Sequence, residues 1–417
     1  MNIKVFINKL GPIENSEMQF KPFMVFTGDS GVGKSYTAML WYNLITAFSA
    51  PRLLSFVAQK WNLKVEDETL NENLSYQFKF KELRKWINDS ASRTLAYLLG
   101  NEVFSCDVNY IFDEFDDNLV IPISISPGGF EHFAAYSVAD KKYILPSEHI
   151  SKTFLVAHSL SNYFTEKLWG KKWLNSLLLP PARAAFMGAE MTSSIGMYRE
   201  FLSQLNDLKT PPVQEPKDTQ FFANCISKLV EGKIVIDNGN VLVQLVDGVK
   251  IPISAAASSV KELMPFLLLL QNGKSIPYYS MLFEEPEAHV HPKKQYLVMD
   301  MLARCCNKGM MIQMTTHSDY LLSRMNQLIR LGNIKKASEK VFDIYCTNHK
   351  HNRNLYLDAD AIGVYYFKRE NGKVAIVEQD TSNGLPFTSF DEIINEQMEY
   401  AANIEDSGVK AGIDSSF

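Results

Sequence analysis

Hydrophobic and polar residues alternate at the start of the chain, and this alternation predicts a strand with one face in water. Ile3, Val5 and Ile7 fall on one side, and polar residues stand between them. After a glycine–proline turn and a second short alternation, residues 23–26 are continuously apolar. A continuous apolar run is typical of a central strand that is covered on both faces. The first residues therefore predict part of a sheet with a buried centre.

The rest of the chain divides into a largely helical middle and a strand-rich end. Apolar residues have helical spacing over 51–115 and 151–178, and short strands are predicted at 119–126 and 136–145. Three prolines mark 210–219 as a linker. The elements predicted after it are a β-meander over 233–253, a helix over 258–270, a strand over 278–283, a helix over 293–306, a strand over 310–316 and a hairpin over 364–379.

Composition and charge indicate a soluble globular protein of the cytoplasm. Hydrophobic residues make up 46% of the 417 residues and charged residues 21%, as in ordinary folded domains. The net charge of −5 argues against a protein that binds nucleic acid over its whole surface. No apolar run approaches the ~20 residues that a membrane-spanning helix needs, and the N-terminus resembles a strand rather than a signal peptide. Five cysteines without regular spacing favour a reducing compartment.

A phosphate-binding loop is predicted directly after the apolar run. The string GDSGVGKS at 28–35 fits the pattern G-x-x-x-x-G-K-[ST] without deviation. Glycines let backbone N–H groups close around phosphate oxygens, and the helix that follows adds its positive end. We expect Lys34 to reach the β- and γ-phosphates of ATP and the Ser35 hydroxyl to bind Mg²⁺. The alternative is a glycine-rich turn that binds nothing. The residues predicted to contact the nucleotide are Gly28, Asp29, Ser30, Gly31, Val32, Gly33, Lys34, Ser35 and Tyr36.

Paired carboxylates end a second apolar strand, in the string FEEPEAHVHP at 283–292. A buried strand rarely ends on two like charges unless a cation lies beside them, because an unpaired buried charge is costly. With a phosphate loop in the same chain, Glu284 is predicted to hold Mg²⁺ and Glu285 to orient and polarise the attacking water. We expect this strand to lie beside the phosphate-loop strand. The alternative is a solvated helix N-terminus, where acidic residues are favourable.

His317 closes the strand predicted at 310–316, one helix and one strand beyond Glu285. In a parallel sheet this connection returns the chain to the edge at which ligands bind. A histidine at that edge can donate a hydrogen bond to the γ-phosphate or to the attacking water. The alternative is a partly buried histidine at a strand end. Lys34, Glu285 and His317 are therefore the predicted catalytic residues.

Together these motifs resemble the ABC-type ATPases of the RecF, SMC and OLD group, and within it the small prokaryotic ATPases classed as AAA15 or AAA21. GDSGVGKS resembles the group's Walker A loop, FEEPEAHVHP its Walker B and D-loop segment, and TTHSDYLLSRMN its switch histidine and the following helix. The resemblance covers residues 1–45 and 177–380. It implies an α/β fold with an ABC-type P-loop NTPase core, in which helices flank a mixed sheet, and a largely helical insertion between Walker A and the signature segment.

The same resemblance implies a division into domains. The ATPase core is expected at 1–45 and 233–385. The region at 46–232 is expected to be a mainly helical insertion or arm with some strands, which would supply the surface for a partner. The remaining residues, 386–417, are expected to be a polar C-terminal tail.

In this group two copies sandwich two nucleotides, and a signature helix from one copy completes the site of the other. The matching stretch is SAAASSVKELMP at 254–265, which would bring Ser258 to the partner's γ-phosphate. Ser259 and Val260 stand where the family has glycines, so we expect slow or partner-dependent hydrolysis. A plain helix N-cap at Ser258 is the alternative. Arg183, in the string PPAR, is left open between a contact to phosphate or the dimer partner and a structural ion pair.

Three functions are compatible with an ATPase of this group. The first, which we expect, is an ATP hydrolase that acts as the sensor or regulatory subunit of a prokaryotic antiviral defence system. It would be similar to the ATPases of PARIS and Septu, with a separately encoded nuclease or toxin as effector, since nothing after residue 330 resembles a nuclease. The second is a RecF-like ATPase of DNA repair or recombination, and DNA is left open as a partner. The third is a scaffold that ATP locks into a dimer without hydrolysis. In each, ATP and Mg²⁺ are the cofactors, and the protein is a homodimer or higher homo-oligomer without membrane contact.

Overall fold

The computed structural model describes residues 2–63, 73–127, 133–146, 151–171, 173–187, 192–209, 220–271, 276–382, 384–385 and 398–400. The predicted linker at 210–219 and most of the predicted tail lie outside the described residues. The described strands are β1 (Ile3–Leu10), β2 (Ile13–Gln19), β3 (Phe23–Gly28), β4 (Leu74–Lys79), β5 (Cys106–Phe112), β6 (Val120–Pro127), β7 (Phe133–Val138), β8 (Lys141–Pro146), β9 (Asn175–Leu179), β10 (Gly232–Asp237), β11 (Asn240–Leu245), β12 (Lys250–Pro252), β13 (Tyr279–Glu284), β14 (Met311–Thr315), β15 (Ile362–Glu370) and β16 (Lys373–Gln379). The described α-helices are α1 (Lys34–Ala47), α2 (Ala50–Trp61), α3 (Phe80–Leu99), α4 (Lys152–Trp169), α5 (Gly196–Leu208), α6 (Gln220–Val230), α7 (Ser258–Gln271), α8 (Pro292–Asn307), α9 (Asp319–Ala337) and α10 (Glu339–Asn348).

Nine strands form one mixed sheet, in the order β5-β1-β2-β16-β15-β3-β14-β13-β9. From β9 to β15 the neighbouring strands are parallel. β1 runs antiparallel to β2 and β5, and β15 runs antiparallel to β16. Helices cover both faces of this sheet, so the predicted α/β class with a mixed sheet flanked by helices is confirmed.

Residues 23–26 of the central strand β3 are all apolar because both faces of this strand are buried. In β3, Met24 and Phe26 pack into a cluster with residues of α1, α3 and α4. Phe23 and Val25 point the other way, into a cluster with residues of α7, α8 and α9. The continuous apolar run of the sequence therefore marks the strand that carries the phosphate loop, as predicted.

Two strands inside the region expected to be an insertion belong to the central sheet. β5 pairs with β1, and β9 pairs with β13. The structure therefore corrects the expected core, because the sheet takes strands from 46–232 as well as from its two flanks. The rest of that region contains helices and a separate antiparallel sheet in the order β4-β6-β7-β8.

Two sequence predictions of local structure were wrong in this region. Residues 51–115 were expected to be mostly helical, but β4 and β5 lie there. Val108, Tyr110 and Phe112 alternate with more exposed residues in β5, which is the pattern of a half-buried strand. The single strand expected at 136–145 is a hairpin of β7 and β8, whose turn places Ala139 at φ 51°.

Two further findings concern the meander predicted after the linker and the helices of the described residues. The residues at 232–253 form a small sheet in the order β10-β11-β12, which confirms the predicted meander. None of the described helices combines the length and the apolar character needed to cross a bilayer.

Candidate nucleotide-binding site

The phosphate loop joins β3 to α1, and two glycines give it its shape. Gly28 has φ 124° and Gly33 has φ 94°, in the region that favours residues without a side chain. A Cβ atom at Gly28 would lie 2.3 Å from the Phe367 carbonyl oxygen, in the neighbouring strand β15. A Cβ atom at Gly33 would lie 2.9 Å from the Ile13 side chain. Backbone conformation and close packing therefore both require glycine, which explains the motif at these two positions.

Lys34 folds back over the loop at the first residue of α1. Its Nζ atom donates to the carbonyl oxygens of Gly28, at 2.9 Å, and of Asp29, at 2.5 Å. The side chain is buried, and this burial lowers its pKa, whereas Glu285 opposes the shift. The ammonium group is thus held at the mouth of the loop, where it can exchange carbonyl partners for phosphate oxygens.

Glu284 is the most tightly enclosed carboxylate of the site. Its Oε2 atom accepts hydrogen bonds from Ser35 Oγ and from Thr315 Oγ1, both at 2.8 Å. Its Oε1 atom is buried and has no hydrogen-bond partner. Burial raises the pKa of this carboxyl group, and the two hydroxyl donors oppose the increase. This buried oxygen atom lies beside the Ser35 hydroxyl group and is available to accept a further partner.

β14 lies between the phosphate-loop strand β3 and the carboxylate strand β13. The expectation that these two strands are neighbours was therefore wrong. Ser35 still reaches Glu284 because α1 begins above the carboxyl edge of the sheet, and Thr315 at the end of β14 closes the gap between them. The sequence patterns predicted no role for Thr315, although it belongs to the same TTH string as His317.

Glu285 differs from its neighbour in exposure and in backbone conformation. Its side chain is exposed, and its φ of 45° is left-handed, which is uncommon for a residue with a side chain. The backbone N–H donates to the carbonyl oxygen of Thr315 at 3.1 Å, which holds this conformation. The turn therefore directs two consecutive carboxylates into different surroundings, one buried against Ser35 and one open to solvent.

His317 lies two residues beyond β14, on the same edge of the sheet. Its backbone N–H donates to Glu287 Oε1 at 2.7 Å, and Thr316 Oγ1 donates to the same oxygen at 2.8 Å. Burial lowers the pKa of the imidazole, and the charge of Lys34 lowers it further, while Glu285 raises it. Lys34, Glu285 and His317 therefore lie close enough to influence one another's charge, and their catalytic roles stay predictions. The structure adds Glu287 as the side chain that binds the histidine loop.

The remaining predicted residues have the following positions. Asp29, Ser30 and Gly31 are exposed in the loop, whereas Val32 is buried beneath it. The Tyr36 ring packs edge-on against Phe104, with ring centroids 5.2 Å apart. Contacts between these residues and a nucleotide stay predictions.

Ser258 is exposed at the first residue of α7, so its contact with a partner's nucleotide also stays a prediction. For Arg183 the structure decides between the alternatives. The side chain is fully buried, and its Nε atom lies 3.4 Å from Glu262 Oε2. Arg183 therefore forms the structural ion pair rather than a contact at the surface.

Comparison with known families supports the assignment that the geometry suggests. Residues 164–322 match the family model AAA_15, described as an AAA ATPase domain. The match includes Glu284, Glu285 and His317 but begins after the phosphate loop, so two separate parts of the chain indicate an ATPase. The chain is similar to AAA_15 ATPases. A comparison with curated proteins gives no match.

Solved SMC head structures are similar to the chain only at low identity. The SMC head domain from Thermotoga maritima is 11% identical, covers 91% of this chain and 99% of its own, and has a TM-score of 0.37. The Smc head domain with an extended coiled coil bound to the C-terminal domain of ScpA, derived from Pyrococcus furiosus, is 12% identical, covers 95% and 98%, and has a TM-score of 0.38. The SmcHead bound to the C-winged helix domain of ScpA is 12% identical, covers 91% and 97%, and has a TM-score of 0.36. These scores describe a loose superposition, so the functional argument rests on the geometry of the site.

The residues at this edge fit a magnesium nucleotide. Mg²⁺ prefers oxygen ligands and is usually held by one or two protein groups together with phosphates and water. The Ser35 hydroxyl and the unpaired Glu284 Oε1 atom offer such oxygens side by side. The loop backbone and Lys34 suit the phosphates, since Gly28 and Gly33 leave no side chain in the way.

Proposed function

We propose that the protein binds Mg²⁺-ATP at the carboxyl edge of its central sheet and hydrolyses it. The observation that carries this proposal is the triad of Ser35, Glu284 and Thr315, with hydrogen bonds of 2.8 Å on one carboxylate oxygen and none on the other. Ser35 and Glu284 are far apart in the chain, so only the folded sheet brings them together. A nucleotide cation at this position would neutralise a buried charge that the protein alone leaves unpaired.

The two consecutive glutamates would have different roles because their surroundings differ. Bound Mg²⁺-ATP supplies the γ-phosphoryl group and the charge that compensates Glu284. Glu284 and Ser35 would hold the cation, and Lys34 would bind phosphate oxygens. Glu285, exposed at the same edge, would accept a proton from the attacking water, and His317 would donate a hydrogen bond to the transferred group.

We propose further that two or more copies assemble with composite ATP sites. The exposed N-terminus of α7 would supply Ser258 to the γ-phosphate bound by a second copy, because helix N-termini favour anions. The motif resemblance supports this arrangement. Ser259 and Val260 stand in place of the family's glycines, so turnover would be slow or would depend on a partner.

The decisive experiment measures phosphate release and ATP affinity for the wild type and for Glu285→Gln. Loss of a catalytic proton acceptor lowers turnover by about 10²- to 10⁴-fold, and the glutamine variant should still bind ATP. Glu339→Gln, an exposed glutamate in the first turn of α10, is the matched control and should behave as the wild type. Tight binding without turnover in the wild type would contradict hydrolysis and favour an ATP-locked scaffold.

The proposed biological role is that of a sensor or regulatory subunit in an antiviral defence system with a separate effector. The resemblance of the motifs to the ATPases of such systems supports it. The test is a phage infection assay with the intact operon, comparing the wild type with Glu285→Gln. We expect the variant to lose protection. A neighbouring recombination gene, together with turnover that double-stranded DNA stimulates, would instead support a RecF-like ATPase of DNA repair.

A further inference from the structure

Arg183 is a fully buried arginine that lies between the carboxylate turn and the helix that is expected to face a second copy. Its relative exposure is 0%, and it follows β9 in a short 3-10 turn, 183–186. The guanidinium group donates to backbone carbonyl oxygens from three separate segments. One of them lies just before its own turn, since Nη1 donates to the Pro180 carbonyl oxygen at 2.8 Å. The other two are in α7 and after β13.

On the α7 side, Arg183 Nε donates to the Glu262 carbonyl oxygen at 2.7 Å. α7 contains Pro265, which has no N–H to donate to the carbonyl oxygen four residues earlier. The carbonyl oxygen that lacks this donor belongs to Lys261, next to the one that Arg183 binds. Glu262 also places its own carboxylate near the arginine, with Oε2 at 3.4 Å from Nε and without a hydrogen-bond partner.

On the carboxylate side, Arg183 Nη1 donates to the Glu284 carbonyl oxygen at 2.8 Å, and Nη2 lies 3.4 Å from that of Glu285. These are the last residue of β13 and the residue with left-handed backbone. The guanidinium group also lies over the Phe283 ring, 4.7 Å from its centroid. One rigid group thus supports the backbone of both Glu284 and Glu285.

A buried arginine is a costly way to hold two segments together, because an apolar contact would fill the space without desolvating a charge. Burial lowers the pKa of Arg183 to about 10, so the group stays charged at neutral pH. Its planar fork is the feature that an apolar side chain or a lysine lacks, since one lysine nitrogen cannot donate along several fixed directions. The geometry of the donors therefore explains why an arginine stands at this position.

We propose that Arg183 is a positioning residue that couples the N-terminal half of α7 to the carboxylates of the same chain. Movement of α7 against a second copy would be passed through the guanidinium group to Glu284 and Glu285. Nucleotide bound at the carboxylates would restrain α7 by the same route. This inference rests on the proposed ATP site, and it assigns to Arg183 no contact with nucleotide.

The test compares Arg183→Lys with Arg324→Lys. Lysine retains the charge at residue 183 but loses the fork. Arg324 forms a two-pronged ion pair with Asp300, at 2.7 and 3.3 Å, between α9 and α8, so it controls for the loss of such a fork elsewhere. We expect Arg183→Lys to lower kcat by about ten- to a hundredfold while the KM for ATP changes less than about twofold. Arg324→Lys should change neither.

The second measurement does not depend on turnover. In a Ser258→Glu background, which is expected to prevent closure with a second copy, Mg²⁺-ATP should slow amide hydrogen exchange in α7 by about tenfold. Arg183→Lys should abolish this protection although ATP still binds. Unchanged protection in Arg183→Lys, or its absence in the parent, would overturn the coupling.

The double variant Arg183→Met with Glu262→Gln is the control for the case in which Arg183→Lys fails to fold. Removing both charges avoids leaving a buried carboxylate unpaired. This double variant should fold, bind ATP and show the same loss of α7 protection. If the wild type itself does not bind ATP, the proposed function fails. If it binds ATP and the Arg183 variants behave as the wild type, the coupling alone fails.

Discussion

The phosphate-loop edge of the sheet and the start of α7 differ in how far their side chains are buried and hydrogen-bonded within the single chain. At the loop edge Lys34 and Glu284 are buried, and their hydrogen-bond partners lie in the phosphate loop, in α1 and in β14. At the start of α7 Ser258 is exposed. The single chain therefore fixes the side chains at the phosphate-loop edge, whereas the N-terminus of α7 is exposed to solvent.

In the proposed mechanism, this difference separates ATP binding from ATP turnover. Binding would require the loop, Lys34 and the Ser35–Glu284 pair, whose hydrogen bond forms within the single chain. Turnover would require in addition the contact that the exposed start of α7 is proposed to make with a second copy. Substitutions in the two regions should therefore have different signatures, and four predictions test this contrast.

The largest effect is expected for Lys34→Met, which keeps the length of the side chain and removes its charge. ATP loses the ammonium group that would exchange its carbonyl partners, Gly28 and Asp29, for phosphate oxygens. Affinity should fall by about a hundredfold, which corresponds to roughly 2.7 kcal/mol. A titration with fluorescent ATP measures the change. Lys293→Met, exposed in the first turn of α8, is the control, and equal affinity in both variants would remove Lys34 from the site.

A smaller effect, on turnover rather than binding, is expected for Ser258→Glu. A glutamate at a helix N-terminus favours the fold but repels a phosphate from a second copy. The kcat should fall by about tenfold, with ATP affinity unchanged and ATP-induced dimerisation reduced in light scattering. Ser55→Glu, on the exposed side of α2, is the matched control. A variant with normal turnover and dimerisation would mean that α7 does not complete another site.

The residues at the phosphate-loop edge of the sheet are also the part of the site that could be predicted from the sequence. GDSGVGKS, the paired glutamates and His317 are local strings at strand ends, and strand ends in a parallel sheet share one edge. The sheet order could not be obtained in this way. β14 lies between β3 and β13, and β5 and β9 join the central sheet from a region expected to be an insertion. Strand order depends on pairing between distant residues, which no local pattern encodes.

The supporting roles of Arg183 and Glu287 could not be predicted from the sequence for a related reason. Arg183 and Glu287 are named by the strings PPAR and FEEPEAHVHP, but their partners lie 101 and 30 residues away. Charge type alone gave a set of alternatives for Arg183. Only its burial and the direction of its donors showed that it supports the carboxylate turn.

A third prediction concerns the tie between Glu287 and the histidine loop. Glu287→Ala removes the acceptor of the His317 N–H and Thr316 hydroxyl groups, so the imidazole should lose its fixed position. We expect kcat to fall by about fivefold with ATP affinity unchanged, since the loop holds no predicted phosphate contact besides His317. Glu287→Gln keeps one acceptor oxygen and should recover most of the activity. Equal activity in all three proteins would show that the tie has only a structural role.

The smallest effect is expected for the stability of the protein without nucleotide, as a function of pH. Burial raises the pKa of Glu284, so the folded protein still binds a proton at a pH at which the unfolded chain has released it. The stability from this group is therefore present at low pH and is lost as the pH rises through the folded pKa. Other buried acids share this behaviour, so the measured quantity is the difference between the wild type and Glu284→Gln in urea unfolding. As the pH rises from the ordinary pKa of a glutamate through the raised pKa of Glu284, the wild type should lose stability relative to the variant. Mg²⁺-ATP should reverse this ranking at the higher pH, because the cation stabilises the ionised carboxylate of the wild type and the variant offers it none. A parallel pH dependence of the two proteins without nucleotide would mean that folding does not raise the pKa of Glu284.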